Sequence, residues 1–253
     1  MESPLAPDVA QPQAPEPTLG LGQRAVAVFI RPGEAWTGLR QQVQWWFPML
    51  LLAVFAALVG AALQHRALLP MLTDAWQDQV AIGNMQADQA QHMEEYFSGP
   101  MGMVWTVGQQ LVFVPVITAI MGLLIWFGAG FILGRPMTYR LSLEVASWAG
   151  LITIPLQALT FVVAWARETM KGVHVGFGLL LPETDTPTRF GLFLGGVLDA
   201  FGPLSLWYLA VLVLGTAALS GAPRKQIALV IGGLYFVAMF LLVGLGAMFA
   251  PLS

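Results

Sequence analysis

The stretch VWTVGQQLVFVPVITAIMGLLIWFGAGFIL, residues 104–133, contains no charged side chain. An α-helix rises about 1.5 Å per residue, so about 20 such residues cross the hydrocarbon core of a bilayer. This stretch is apolar on every face, whereas the strands of a membrane barrel alternate apolar and polar residues. A helix also satisfies all of its backbone hydrogen bonds internally. The stretch therefore predicts a transmembrane helix.

Four more stretches are long and apolar, three of them without a charge and one with the single charged residue Glu144. The composition agrees with them. Only 10% of the 253 residues are charged and 57% are hydrophobic, against about 25% charged residues in a soluble domain. We therefore predict an all-α integral membrane protein, a bundle of five transmembrane helices in one domain, residues 23–250. The predicted spans cover residues 45–63, 104–133, 141–166, 201–219 and 227–249.

The region before the first span divides into two parts. Residues 1–22 are rich in proline and contain acidic but no basic side chains, which predicts a disordered cytoplasmic tail. Residues 24–44 predict an amphipathic helix on the membrane surface, interrupted at Arg31-Pro32-Gly33. Pro32 suits the first turn of a second helix, in which Trp36 would lie at the membrane interface.

Basic residues in short loops predict the orientation of the chain, because they favour the cytoplasmic side of a membrane. Residues 134–140 and 220–226 each contain two basic residues and no acidic one, and three arginines precede the first span. These places share one side if five helices alternate, and the acidic loop 64–102 lies on the other. We therefore expect a multi-pass protein of the inner cell membrane, with a cytoplasmic N-terminus and an outer C-terminus.

Two carboxylates near the predicted spans are candidate functional sites, because a charge at mid-membrane costs several kcal/mol. Asp199 stands where the fourth span begins, and it either caps that helix or takes part in binding or proton handling. Glu144 follows Arg140 by one helical turn. It either pairs with that arginine at the cytoplasmic end of the third span or forms an ion or substrate site.

Uncharged residues add further candidates within the spans. Gln109, Gln110 and Gln157 are polar groups in apolar surroundings, and they predict hydrogen bonds between helices or the lining of a pathway. Pro115 and Pro155 predict bends in the second and third spans, because proline lacks a backbone N–H group.

The sequence lacks the residue patterns of the common catalytic, metal-binding and phosphate-binding sites. The chain has no cysteine. His65, His92 and His174 lack the spacing of a zinc site. No phosphate loop or nucleophile elbow is present. We expect no metal site, no cofactor and no enzymatic activity, and the net charge of −3 gives no sign of a nucleic-acid partner.

The order of several short motifs resembles the bacterial branch of the Yip (Ypt/Rab-interacting protein) family. These motifs are Val28-Phe-Ile-Arg-Pro32 with Trp36, Gly134-x-x-x-Thr138-Tyr139-Arg140, and Leu198-Asp199-Ala-Phe201 with Leu206-Trp207. The resemblance implies five spans with a cytoplasmic N-terminal region, and it matches Tyr139, Asp199 and Trp207 to family positions without a known role. Eukaryotic relatives bind Rab-type GTPases and are linked to vesicle traffic and membrane shaping, but a bacterial cell has no Rab system.

Two functions follow as hypotheses. The first is a non-enzymatic scaffold or organising protein of the membrane. Its partners would be the lipid bilayer, a membrane or cytoplasmic protein, or a second copy of the chain. The second is a small permease or channel that uses Asp199 and Glu144 within the membrane.

Overall fold

The computed structural model describes residues 18–181 and 188–249. The proline-rich tail predicted at residues 1–22 falls mostly outside this part of the chain, so its disorder stays a prediction. The described residues form helices joined by turns, without a strand. The α-helices are α1 Leu21–Ile30, α2 Trp46–Leu63, α3 Leu69–Ala81, α4 Ala87–Ser98, α5 Pro100–Ile125, α6 Tyr139–Gly150, α7 Thr153–Arg167, α8 Arg189–Ala200, α9 Pro203–Ser220 and α10 Arg224–Phe249.

Five helical stretches of the described residues are long and apolar enough to cross a membrane, which confirms the predicted fold class. Two of them include a π-helical turn. Residues 64–68 join α2 to α3 in one helix, Trp46–Ala81, and residues 126–132 extend α5 to Ile132. These two helices are about 50 Å long at 1.5 Å per residue. Because the hydrocarbon core is about 30 Å thick, their outer turns stand clear of it.

The third long helix is interrupted near a proline that the sequence singled out. α6 ends at Gly150 and α7 begins at Thr153, so the interruption falls at Leu151 and Ile152. The ring of Pro155 would clash with the carbonyl group of Leu151 four residues earlier, which accounts for its position. Pro115, in contrast, lies inside α5, which continues as one helix to Ile125.

The fourth span, α9, follows a separate short helix, α8, which packs against α10. Phe193 of α8 packs against Phe240 of α10 with ring centroids 4.9 Å apart, and Phe201 packs against Phe236 at 5.5 Å. Phe236 lies about 18 Å along α10 from Arg224, at about 1.5 Å per residue. The junction between α8 and α9 therefore lies about half way along α10.

The segment before the first span, residues 19–44, is the entry segment. Its first part forms α1 as expected, but the predicted second helix after Pro32 is wrong. Residues 32–41 form successive turns, with bonds from Glu34 N to Arg31 O (3.0 Å) and from Thr37 N to Glu34 O (3.2 Å). Gly38 has a positive φ of 75°, which a regular helix does not accommodate.

The entry segment packs into the bundle core. Val28 and Leu39 are fully buried, and Trp36 is 3% exposed, so the expected interfacial position of Trp36 is wrong. The indole ring of Trp36 lies against Gly215 of α9, where a Cβ atom would come within 2.7 Å of the ring. A glycine at this position therefore makes the room into which the entry segment packs.

We expect Gly215→Ala to lower the thermal unfolding midpoint of the protein in detergent, because the added methyl group displaces Trp36 at a cost of about 1–3 kcal/mol. Gly233→Ala is the matched control, since Gly233 lies in α10 with no other atom near its missing Cβ. Alanine favours a helix over glycine, so the control should leave the midpoint unchanged or raise it. Equal midpoints for both variants would contradict this packing.

Candidate functional site

The side chain of Arg24 is fully buried inside the entry segment. Its Nε donates to Gln44 Oε1 at 2.8 Å, one Nη2 bond reaches Thr37 O at 3.0 Å, and Nη1 donates to the carbonyl oxygen of Ala35. The guanidinium carbon lies 5.7 Å from the ring centroid of Trp148 in α6. One side chain of α1 therefore holds the turns of the entry segment together and contacts the bundle.

Glu144 lies beside this arginine, fully buried in α6. Its Oε1 accepts a hydrogen bond from the backbone N–H of Gln44 at 2.8 Å. Burial lowers the pKa of Arg24 below that of a free arginine, and the charge of Glu144 opposes that shift. The guanidinium keeps its charge, because an arginine starts from a very high pKa. A buried charge is costly unless it is paired, and these two residues share one buried cluster.

Arg140, in the first turn of α6, holds the same segment. It donates to the carbonyl oxygens of Arg40 at 2.9 Å and Gln42 at 3.0 Å. Its Nη1 lies 3.9 Å from Glu144 Oε1, which is long for an ion pair. The expected pairing of Arg140 with Glu144 is therefore secondary, because the closest bonds of both residues go to the entry segment. Arg40 in turn donates to the carbonyl oxygen of Leu219 at the end of α9.

Asp199 belongs to a second polar cluster, beside the junction of α8 and α9. Its Oδ2 lies 2.5 Å from His174 Nδ1, and its Oδ1 accepts from the backbone N–H of Gly176 at 3.1 Å. The expectation that Asp199 caps the fourth span is wrong, because the N-cap of α9 is Gly202. A Cβ atom at Gly178 would come within 2.5 Å of Asp199 Oδ1. The loop before α8 thus folds closely over this carboxylate.

The uncharged candidates do not join either cluster. Gln157 donates to Thr153 of its own helix at 3.3 Å, so its expected bond between helices is wrong. Gln110 packs near Gly60 of α2, while Gln109 is exposed on α5. Tyr139 donates its hydroxyl proton to Ala119 O at 3.1 Å, linking α6 to α5. Trp207 is 39% exposed on α9.

The two polar clusters, around Glu144 and Asp199, join helices of the bundle to neighbouring segments of the chain. Both carboxylates accept hydrogen bonds from backbone N–H groups of their own chain. The described residues contain no group of three side chains suited to a metal ion. Two open grooves of about 330 Å³ each are lined by residues other than Glu144 and Asp199. The buried cluster of Arg24, Gln44 and Glu144, called here the Arg24 cluster, therefore docks the entry segment onto α6. Trp36 and Arg40 dock the same segment onto α9.

Sequence reasoning missed Arg24, Gln44 and His174. Gln44 and Glu144 are separated by 100 positions, and His174 and Asp199 by 25. Neither separation corresponds to a helical repeat, so local spacing contains no trace of these contacts. The one available signal was an arginine next to the apolar residues of α1, on the face that Ala27 and Val28 share.

We expect Arg24→Gln to lower the free energy of unfolding by about 3–5 kcal/mol, because it leaves Glu144 buried beside unsatisfied carbonyl groups. Arg31→Gln is the matched control, since Arg31 pairs with Glu34 on the exposed surface at 3.3 Å and such pairs contribute little. Denaturant unfolding in mixed micelles measures the free energy of unfolding of both variants. A loss of the same size in the two variants would rule out the buried cluster as the main fastening.

The comparisons with known proteins agree with this architecture. A family model described as the Yip1 domain matches residues 26–246, from α1 to α10. No curated protein and no solved structure gives a significant match. The matched region contains the entry segment from Val26 onward, four of the long helices in full and the fifth as far as residue 246. The chain therefore belongs to the Yip1 domain family of membrane proteins.

Proposed function

We propose that this chain is a non-enzymatic organiser of the membrane, which holds the amphipathic helix α1 in one leaflet. One observation supports the proposal most. The face of α1 with Arg24 and Val28 is buried in the bundle, while Val26 and Ile30 on the other face are 57% and 65% exposed. α1 is thus anchored by one face and offers apolar side chains on the other.

The exposed apolar face of α1 is best suited to contact with lipid. The entry segment leads directly into the first span, and Val43 and Trp46 near its end are 55% and 47% exposed. Tryptophan favours the boundary between headgroups and acyl chains, which is also where an amphipathic helix lies. Val26, Phe29 and Ile30 then enter the acyl region of the same leaflet.

A helix held at this depth takes up area in one leaflet and leaves the other unchanged, which favours curvature. A helix on a flexible tether would move freely across the surface. Here the Arg24 cluster and Arg140 fix α1 to α6, so its depth and direction follow those of the bundle. This agrees with the membrane shaping that the resemblance associates with eukaryotic relatives.

We place α1 in the cytoplasmic leaflet of the inner membrane, with the C-terminus outside. The basic residues Arg31, Arg135, Arg224 and Lys225 support this orientation, since they cluster beside the entry segment or in short loops. The short loops also favour the bacterial branch of the family. A membrane or cytoplasmic protein, or a second copy of the chain, is an alternative occupant of the exposed face of α1.

A permease is the second candidate, and the position of Asp199 favours it. The carboxylate lies beside the interrupted junction of α8 and α9, and interrupted helices at membrane depth often surround the substrate sites of transporters. Against this, Glu144 is enclosed by the entry segment. Ion or solute flux in liposomes that disappears in Asp199→Asn would favour the permease over the organiser.

We expect the purified protein to shift liposomes toward smaller diameters at a fixed protein density, as measured by electron cryomicroscopy. The double variant Val26→Ser with Ile30→Ser should lose this effect, because α1 no longer enters the acyl region. Leu179→Ser with Leu180→Ser is the matched control, since both leucines are exposed but lie in the loop before α8, outside the entry segment. Unchanged diameters with the α1 variant, or an equal loss with the control, would disprove the role of α1.

A further inference from the structure

A groove of about 330 Å³ lies where the π-helical end of α5 meets the turn before α6. Its lining includes Trp126, Gly130, Phe131, Arg135 and Thr138. Gly128, just before, packs against Val230 and Ile231 of α10, about 10 Å along that helix from Arg224. The groove is therefore at the membrane surface on the side of Arg224, which is also the side of the entry segment.

The groove offers hydrogen-bond donors and a positive charge. Among the described residues, the Arg135 guanidinium has no hydrogen-bond or ion-pair partner, and the indole N–H of Trp126 has no acceptor. A Cβ atom at Gly130 would lie 3.5 Å from Trp126 Nε1, so this N–H borders the groove. No acidic residue occurs between Trp126 and Leu143. An anion suits such a site, and a guanidinium matches two oxygens of a phosphate group.

An apolar surface continues from the groove toward the lipid. The rings of Phe127 and Phe131 stack with centroids 5.1 Å apart, and they are 39% and 72% exposed. An acyl chain fits along this stack. A ligand that combines a negative phosphate with acyl chains satisfies both parts of the site. We propose that the groove at Trp126, Gly130 and Arg135 binds the headgroup of an anionic phospholipid, with an acyl chain against Phe127 and Phe131.

The test is native mass spectrometry of the full chain in detergent, titrated with phosphatidylglycerol, phosphatidylcholine or glycerol 3-phosphate. Phosphatidylglycerol should bind about tenfold more tightly than phosphatidylcholine, because both lipids offer a phosphate but the choline cation repels the Arg135 guanidinium. Arg135→Gln should reduce this preference by about tenfold. Trp126→Phe, which keeps the ring but removes the N–H donor, should weaken the binding of both lipids by a smaller factor, because both offer a phosphate.

Arg224→Gln is the matched control, because Arg224 is exposed at the same end of the bundle but does not line the groove. Unchanged affinity in this variant supports a specific site. An equal loss in Arg224→Gln would show general attraction to anionic lipid and would overturn the proposal. Displacement of the lipid by glycerol 3-phosphate at similar concentration would also overturn it, because the site would then take a free phosphate.

Discussion

The burial of one guanidinium group determines how the entry segment of this protein folds. A charge inside a protein costs several kcal/mol unless partners replace the water it loses. Arg24 finds these partners in Gln44 and the carbonyl oxygens of Ala35 and Thr37. The chain between residues 31 and 44 must therefore curl around it, and a regular second helix would carry these acceptors away. Trp36 and Leu39 enter the core as a consequence.

The sequence predicted the membrane-spanning part of the fold well, because hydropathy is a local property. Each long helix needs only its own apolar residues, and Pro155 indicates an interruption in the third. The Arg24 cluster needs contacts across 100 positions, and no spacing rule reaches that far. Asp199 shows the same limit, since its position before the fourth span suggested a cap while its true partner, His174, lies in a separate loop.

The loop before α6 connects the features on this side of the membrane. Thr138 caps α6 through a bond from Leu141 N at 3.4 Å, and Arg140 on the first turn holds the entry segment. Arg135 in the same loop lines the groove proposed for an anionic phospholipid. The lipid headgroup and α1 would thus be attached to one short stretch of chain, which places both in the same leaflet. A lipid bound there would be held at a set distance from α1, the helix that we propose disturbs lipid packing.

Hydrogen exchange at the backbone N–H of Gln44, measured in lipid nanodiscs, tests the docked entry segment most directly. This group lies outside any helix and donates to the buried Glu144 Oε1 at 2.8 Å, so lipid contact alone would not protect it. Docking predicts exchange as slow as that of neighbouring amides in α6. Exchange at the rate of an unstructured peptide would show that the entry segment lies free of the bundle, and the fixed position of α1 would have to be abandoned.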